Sequence, residues 1–199
     1  MFSGIVATVG RIASAVPKGD GLRLRVEAQG LALDDVAIGD SIAIQGVCHT
    51  VVAKDAQSFD VDTSRATLEV TAGLEAGRAV NLEKSLRLSD YVGGHLVSGH
   101  VDGVGEVTAF EDVGGSVRLE VRAPRDLARY LARKGSITVD GVSLTVNRVQ
   151  GGLFEVNLIP HTLAVTTLGR LERGARVNLE VDLLARYAER LLAFAEMAK

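Results

Sequence analysis

The sequence predicts an all-β fold: two tandem six-stranded antiparallel β-barrels made by internal duplication, followed by one amphipathic helix. Three observations lead there. A block beginning at Ser3 recurs about 95 residues later at Ser98. Each copy holds six short runs rich in Val, Ile and Thr between turn signals, with no crossover helix of the kind parallel strands need. From Leu183 the apolar spacing changes to a helical period that has no counterpart in the first copy.

The duplication is clearest where SIAIQGVCHTV (Ser41 to Val51) meets SITVDGVSLTV (Ser136 to Val146), identical at six of eleven positions, against roughly one expected by chance at ordinary composition. Phe59, Val61, Thr67 and Leu68 pair with Phe154, Val156, Thr162 and Leu163. The second copy then carries two extra residues before the register recovers at VNLE, Val80 to Glu83 against Val177 to Glu180. A unit this long is a small domain and not a solenoid repeat. The expected boundaries are 1–94, 95–182 and a tail, 183–199.

In chain order the first copy's strands are IVATVGRI, LRLRVEA, SIAIQGV, HTVVAK, SFDVDT and RAVNLE, and the second's are HVDGVGEV, VRLEVRA, SITVDGV, LTVNRV, LFEVNLI and RVNLEV. Closure of six short strands into a barrel removes exposed edges. After Pro124, RDLARYLARK places Leu127, Tyr130 and Leu131 on one helical face over a barrel end, with LALDDV as a weaker first-copy counterpart. The tail sets Leu184, Tyr187, Ala188, Leu191, Leu192, Phe194 and Ala195 on a wide apolar stripe. Appended to two complete modules, that stripe is expected to bury against other subunits.

With 47% hydrophobic and 24% charged residues, the 199-residue chain has the balance of a folded soluble protein. A net charge of −3 with scattered Lys and Arg argues against a nucleic-acid partner. The single Cys48 cannot form an intrachain disulfide, and there is neither a leader-like start nor an apolar run long enough for a bilayer, so a cytoplasmic location without membrane attachment is expected.

The densest polar constellation is GGHLVSGHVDG (Gly93 to Gly103), with His95, His100 and Asp102 between the copies; His100 stands where the first copy has Ile5. Spacing and ligand number fit no zinc pattern, so no metal is expected. Cys48 and Ser143 are equivalent residues, each two before a shared Thr, Thr50 and Thr145, and no hydrolase signature surrounds either. The paired loops TSRATLEVT (Thr63 to Thr71) and IPHTLAVTT (Ile159 to Thr167) offer Thr67 and Thr162 as hydroxyls at equivalent rims, although such residues serve as caps and turn formers as readily.

Together MFSGIV, GVCHTV, GGHLVSGHVDG, KGSITVDGVSLTV, IPHTLAVTTLG and VNLEVD resemble riboflavin synthase of the alpha-chain type, across the whole chain. The resemblance implies Greek-key barrels, each able to hold one 6,7-dimethyl-8-ribityllumazine, a C-terminal helix tying three chains into a homotrimer, and a functional association with lumazine synthase. It implies an active site between the first barrel of one subunit and the second barrel of a neighbour. By residue matching, a first-barrel pocket comprises Gly4, Ile5, Val6, Ser41, Cys48, His49, Thr50, Asp62, Thr63, Ser64, Arg65, Ala66 and Thr67. A second-barrel pocket comprises Gly99, His100, Val101, Lys134, Ser143, Leu144, Thr145, Asn157, Leu158, Ile159, Pro160, His161 and Thr162. Phe2, His95 and Asp140 complete the catalytic neighbourhood.

The implied reaction passes a four-carbon unit between two identical lumazines, giving riboflavin and 5-amino-6-ribitylamino-uracil. The lumazine ring is its own electron sink, so no cofactor is expected; the protein must hold two substrates face to face and move protons. His95 and His100 are the candidates for proton transfer, Ser41 and Cys48 for orienting the acceptor or adding to it, and Asp140 with Lys134 for fixing the partner site. The chain departs from the family pattern at Gln45, His49 and Ala66, all in the first copy. The rival reading is a non-catalytic lumazine- or flavin-binding protein of the lumazine-protein kind, which generally lacks the second-copy features present here as HLVSGH and SLTV.

Overall fold

The structure, a computed structural model, describes residues 1–197; residues 198 and 199 of the predicted tail lie outside the described residues. Each copy closes into a six-stranded antiparallel barrel. The first contains β1 (Thr8–Lys18), β2 (Gly21–Glu27), β3 (Ser41–Ile44), β4 (Val47–Lys54), β5 (Ser58–Thr63) and β6 (Ala79–Lys84), in the order β1-β2-β5-β4-β3-β6. The second repeats that order with β7 (Gly103–Asp112), β8 (Val117–Arg122), β9 (Ser136–Val139), β10 (Val142–Gln150), β11 (Leu153–Leu158) and β12 (Arg176–Val181). Both barrels carry bulges at matching places, Ile12/Ser14 and Val51/Ala53 in one and Val107/Ala109 and Val146/Arg148 in the other. Such bulges bend strands around a small barrel.

Alternation fills each interior: along β11, Phe154, Val156 and Leu158 point inward and are buried while Asn157 faces out. In β6 and β12 the rule gains a second layer. Val80, Leu82, Val177 and Leu179 are buried inside, yet Asn81, Glu83, Asn178 and Glu180 on the outer face are buried too. These outer faces form the seam where the barrels meet.

Three connections differ from expectation. RDLARY is a 3-10 helix (Arg125–Tyr130), whose Leu127 plugs the second core, but its expected counterpart LALDDV is a series of turns that inserts Leu31, Leu33 and Val36 into the first core without a helical turn. Two segments read as loops are short helices, α1 (Arg65–Val70) and α2 (Pro160–Val165), started by the Ser64 hydroxyl capping Thr67 N–H and by Pro160 in the first turn. A further 3-10 turn spans Thr167–Arg170. Periods of one or two turns are too short to be read from apolar spacing.

The tail helix α3 (Leu183–Met197) has its polar side on the second barrel: Arg129 pairs with Glu189 at 2.6 Å, Tyr130 donates to Glu189, and Arg186 contacts Asp102. Leu184, Tyr187, Leu191, Leu192 and Phe194 are exposed, from 63% to 74%.

Candidate active site

The two barrels are joined by a reciprocal exchange of the segments that lead into them. Phe2 and Val97 trade backbone hydrogen bonds at 2.7 and 3.0 Å, pairing the two segments antiparallel across a pseudo-twofold axis. Beyond this crossing each chain segment lies on the other barrel. The Ser143 N–H donates to the Gly4 carbonyl and the Cys48 N–H to the Gly99 carbonyl, both at 2.8 Å. Val6 packs on the second core and Val101 on the first.

This regroups the residues expected from sequence. Gly99, His100 and Val101 stand at the first barrel with Cys48, and Gly4, Ile5 and Val6 stand at the second with Ser143, instead of each triplet serving the barrel of its own copy. Leu68 of α1 and Leu163 of α2 close the corresponding barrel ends. Two candidate half-sites result, similar in backbone and different in side chains: exposed His100 belongs to one and exposed Ile5 to the other.

The crossing is held by buried carboxylates. Glu83 accepts from the Ser3 N–H at 2.7 Å, the Ser3 hydroxyl at 2.8 Å and the Gly4 N–H at 3.0 Å. Glu180 does the same for Ser98 and Gly99 at 2.7, 2.6 and 2.9 Å. Burial pushes both carboxyls upward and these donors pull them back. In the sequence the repeated VNLE marks only the register of the duplication; the signal of its clamping task is a polar pair retained in both copies of an otherwise apolar strand.

His95 sits at the crossing. Its backbone N–H donates to Ser3 O at 3.1 Å and its Nδ1 lies 2.7 Å from Ser143 Oγ, while Nε2 is buried with no hydrogen-bond partner among the described residues. Burial lowers its pKa, and the Asp182 charge acts the other way. A neutral imidazole with one free ring nitrogen therefore adjoins the Ser143 hydroxyl. Phe2, Ala43 and Val97 form a small buried cluster against which half-buried Cys48 packs. Ser41 begins β3 and lines a cleft of about 760 Å³ together with Ile5, Lys84 and Tyr91; Asp62 is ion-paired with Lys18 and Arg23, holding its carboxyl well below the usual range.

Asp140, Leu144, Leu158 and His49, all expected at the site, are buried within the chain. Asp140 is a buried seam residue: with Gly141 it forms a two-residue turn with both φ positive, back to back against Gln45 and Gly46. Asp140 Oδ1 accepts the Asn178 N–H at 2.8 Å just as Gln45 Oε1 accepts the Asn81 N–H at 2.9 Å. Its pKa is pushed up to about 7 by burial. The length of β9, about 13 Å at strand rise, separates Asp140 from exposed Lys134. Leu144 and Leu158 are core residues. His49 occupies the Leu144 position and is equally buried, with Nδ1 2.9 Å from Val47 O and Nε2 2.9 Å from the buried Thr63 hydroxyl. The remaining rim residues, Thr50, Ser64, Arg65, Ala66, Thr145, Asn157, Ile159, Pro160 and His161, are exposed, with Thr67 and Thr162 half-buried.

The buried His49 has a pH signature. Desolvation lowers its pKa from 6.5 to about 4, so between these values the unfolded chain takes a proton that the fold refuses. Stability is expected to fall as pH drops through that window, by on the order of 3 kcal/mol. Asp140, raised to about 7, has the opposite sign, its contribution being lost as pH rises through that value. Urea unfolding of wild type and His49→Leu at pH 7.5, 5.5 and 4.5 isolates His49: the wild-type disadvantage should grow as pH falls, and a difference independent of pH would refute it.

The "Lumazine binding domain" family matches residues 3–85 and again 98–182, one domain per barrel. The riboflavin synthase of Photobacterium phosphoreum is 47% identical over 96% of this chain and 89% of its own length. That of Brucella abortus (strain 2308) is 44% identical over 98% and 99%. Among solved structures, LumP complexed with riboflavin superposes with a TM-score of 0.81 at 26% identity, over 91% of this chain and 99% of LumP; LumP is also known complexed with 6,7-dimethyl-8-(1'-D-ribityl)lumazine, at a TM-score of 0.79 and 26% identity over the same shares. Identity is thus markedly higher to the synthases than to the ligand-bound LumP structures, and the chain belongs to the riboflavin synthase family.

Proposed function

We propose that the chain is a riboflavin synthase, a transferase that converts two molecules of 6,7-dimethyl-8-ribityllumazine into riboflavin and 5-amino-6-ribitylamino-uracil. The observation that carries the reading is the reciprocal crossing, which builds two half-sites of one backbone design and unlike side chains. A reaction between two copies of one substrate needs like seats for binding and unlike groups for donor and acceptor roles. Held in place, the pair reacts without the entropy cost of encounter. Neutral His95, beside the Ser143 hydroxyl, takes or returns a proton in one half-site, and His100 serves the other beside Cys48.

The half-sites of one chain lie on separate barrels, so the pairing of donor with acceptor is assigned to two neighbouring subunits of a homotrimer. Support comes from α3, whose polar side is already engaged with the barrel while its apolar residues face outward. A cytoplasmic location and a functional association with lumazine synthase belong to the same reading. Mixing the full-length protein with the dimethyl ribityllumazine, with no cofactor or metal added, should release riboflavin, read by its absorbance, from a gel-filtration peak of three chains. A stoichiometric lumazine complex without product would instead support a binding protein.

A further inference from the structure

A second cleft, of about 770 Å³, opens on the seam at the end of the barrels away from α3. Its floor includes Gln45, Asp140 and Thr167. Its walls come from both barrels: Glu75 and Arg78 from the segment leading into β6, and Arg170, Glu172, Arg173 and Arg176 from the segment leading into β12. Arg176 begins β12 and α3 follows the other end of that strand, about 17 Å away at strand rise. None of the residues of the two half-sites lines this cleft.

Charge and size together define what would fit. Four guanidinium groups face two Glu carboxylates in a chain whose net charge is −3. Of the four, only Arg78 appears among the described ion pairs, 3.8 Å from Glu75. Asp140 carries less than a full charge near neutral pH, because burial pushes its pKa up to about 7. The copies show that these cations are not required by the frame. With Leu74, Glu75 and Gly77 aligned on Leu171, Glu172 and Gly174, the second copy has Arg170, Arg173 and Arg176 where the first has Gly73, Ala76 and Ala79. Three positions filled by Gly and Ala in one barrel carry exposed Arg lining this cleft in the other.

Guanidinium forks match phosphate oxygens bidentately, and a concave site focuses their field. The volume is that of a small-molecule site. The chain's negative net charge and the confinement of the arginines to one concavity disfavour a long polyanion such as nucleic acid. We propose that this seam cleft binds a small phosphate-bearing anion, a phosphomonoester or diphosphate, that bridges the two barrels. Such a ligand fixes one barrel relative to the other and thereby acts on the spacing of the half-sites from a distance.

Calorimetric titration of the full-length protein with inorganic pyrophosphate, at constant ionic strength, tests the site. One saturable event per chain with Kd below roughly 1 mM is expected. Arg173→Ala/Arg176→Ala should weaken it by about ten-fold or more, whereas Arg122→Ala/Arg148→Ala, outside the cleft, should change it by less than about two-fold. Prior saturation with the dimethyl ribityllumazine should leave pyrophosphate binding in place. Absence of a saturable event, equal weakening by both variant pairs, or displacement by the lumazine overturns the proposal. Should the Ala pair lower the thermal midpoint, Arg173→Gln alone makes the same comparison, expected to weaken binding about three-fold or more; unchanged binding in it overturns the proposal as well.

Discussion

Replacing His95 with Gln is expected to lower the rate of riboflavin formation by about 10²–10⁴-fold, the usual worth of a general acid–base group, while the protein remains folded. The substitution separates two roles. A glutamine amide can keep the 2.7 Å contact to Ser143 Oγ, but it cannot carry a proton near neutral pH. If His95 only positioned Ser143, Gln would preserve most of the rate. If it transfers protons through that hydroxyl, His95→Gln and Ser143→Ala should be strongly non-additive, the double variant being little worse than the worse single one. The pH profile gives a third readout. Burial lowers the His95 pKa, so the acid limb of kcat that needs neutral imidazole should fall below the ordinary value for histidine. His100, exposed in the other half-site, is expected to contribute separately. A variant with both histidines changed to Gln that retains near-parental turnover would remove them from the mechanism.

Gly99→Ala is expected to unfold the crossing on which both half-sites depend. Its φ is +78°, and an added Cβ would lie 2.6 Å from Cys48 Cβ, 2.9 Å from Cys48 N and 3.0 Å from the Phe2 ring. Left-handed backbone costs an L residue about 1–2 kcal/mol, and overpacking adds about 1–3 kcal/mol. The sum is a large share of the ordinary stability of a folded protein, and for a chain of this length it lowers the thermal midpoint by roughly 4–20 °C. Gly4→Ala should do the same, since its φ is +75° and its Cβ would lie 2.6 Å from Ser143 Cβ. Gly115 provides the control: its φ is +89° but nothing among the described residues lies within 4 Å of an added Cβ, so Gly115→Ala carries the backbone cost alone. Equal midpoints for Gly99→Ala and Gly115→Ala, measured by calorimetry, would show that the crossing is not tightly packed.

Duplication and alternation made the barrels legible. A period of two over Val, Ile and Leu can bury one face of a strand only in a sheet, and repetition of the pattern at about 95 residues requires two of them. The tail was legible for the same reason, as fifteen residues of helical period. The short α1 and α2 were not, because six residues of Thr, Leu and Val satisfy strand and helix patterns alike and are decided by a capping hydroxyl or a first-turn proline. His95, His100, Cys48 and Ser143 stood out as differences between otherwise matching copies. Asp140 also differs from its first-copy equivalent Gln45, and only the structure shows that the two share a task, each accepting a backbone hydrogen bond at the seam.

Local pattern therefore settles the number of strands, their inward faces and the identity of the unlike residues, because each of these depends on neighbours along the chain. The grouping of those residues into half-sites does not. Gly4 meets Ser143 and Gly99 meets Cys48 because two extended segments cross at Phe2 and Val97 and are clamped by Glu83 and Glu180. Those contacts join residues from about 50 to 140 positions apart, and no periodicity records which barrel a segment rests on once it has crossed. Sequence similarity within each copy points to the barrel of its own copy; packing across the pseudo-twofold seam places the segment on the other.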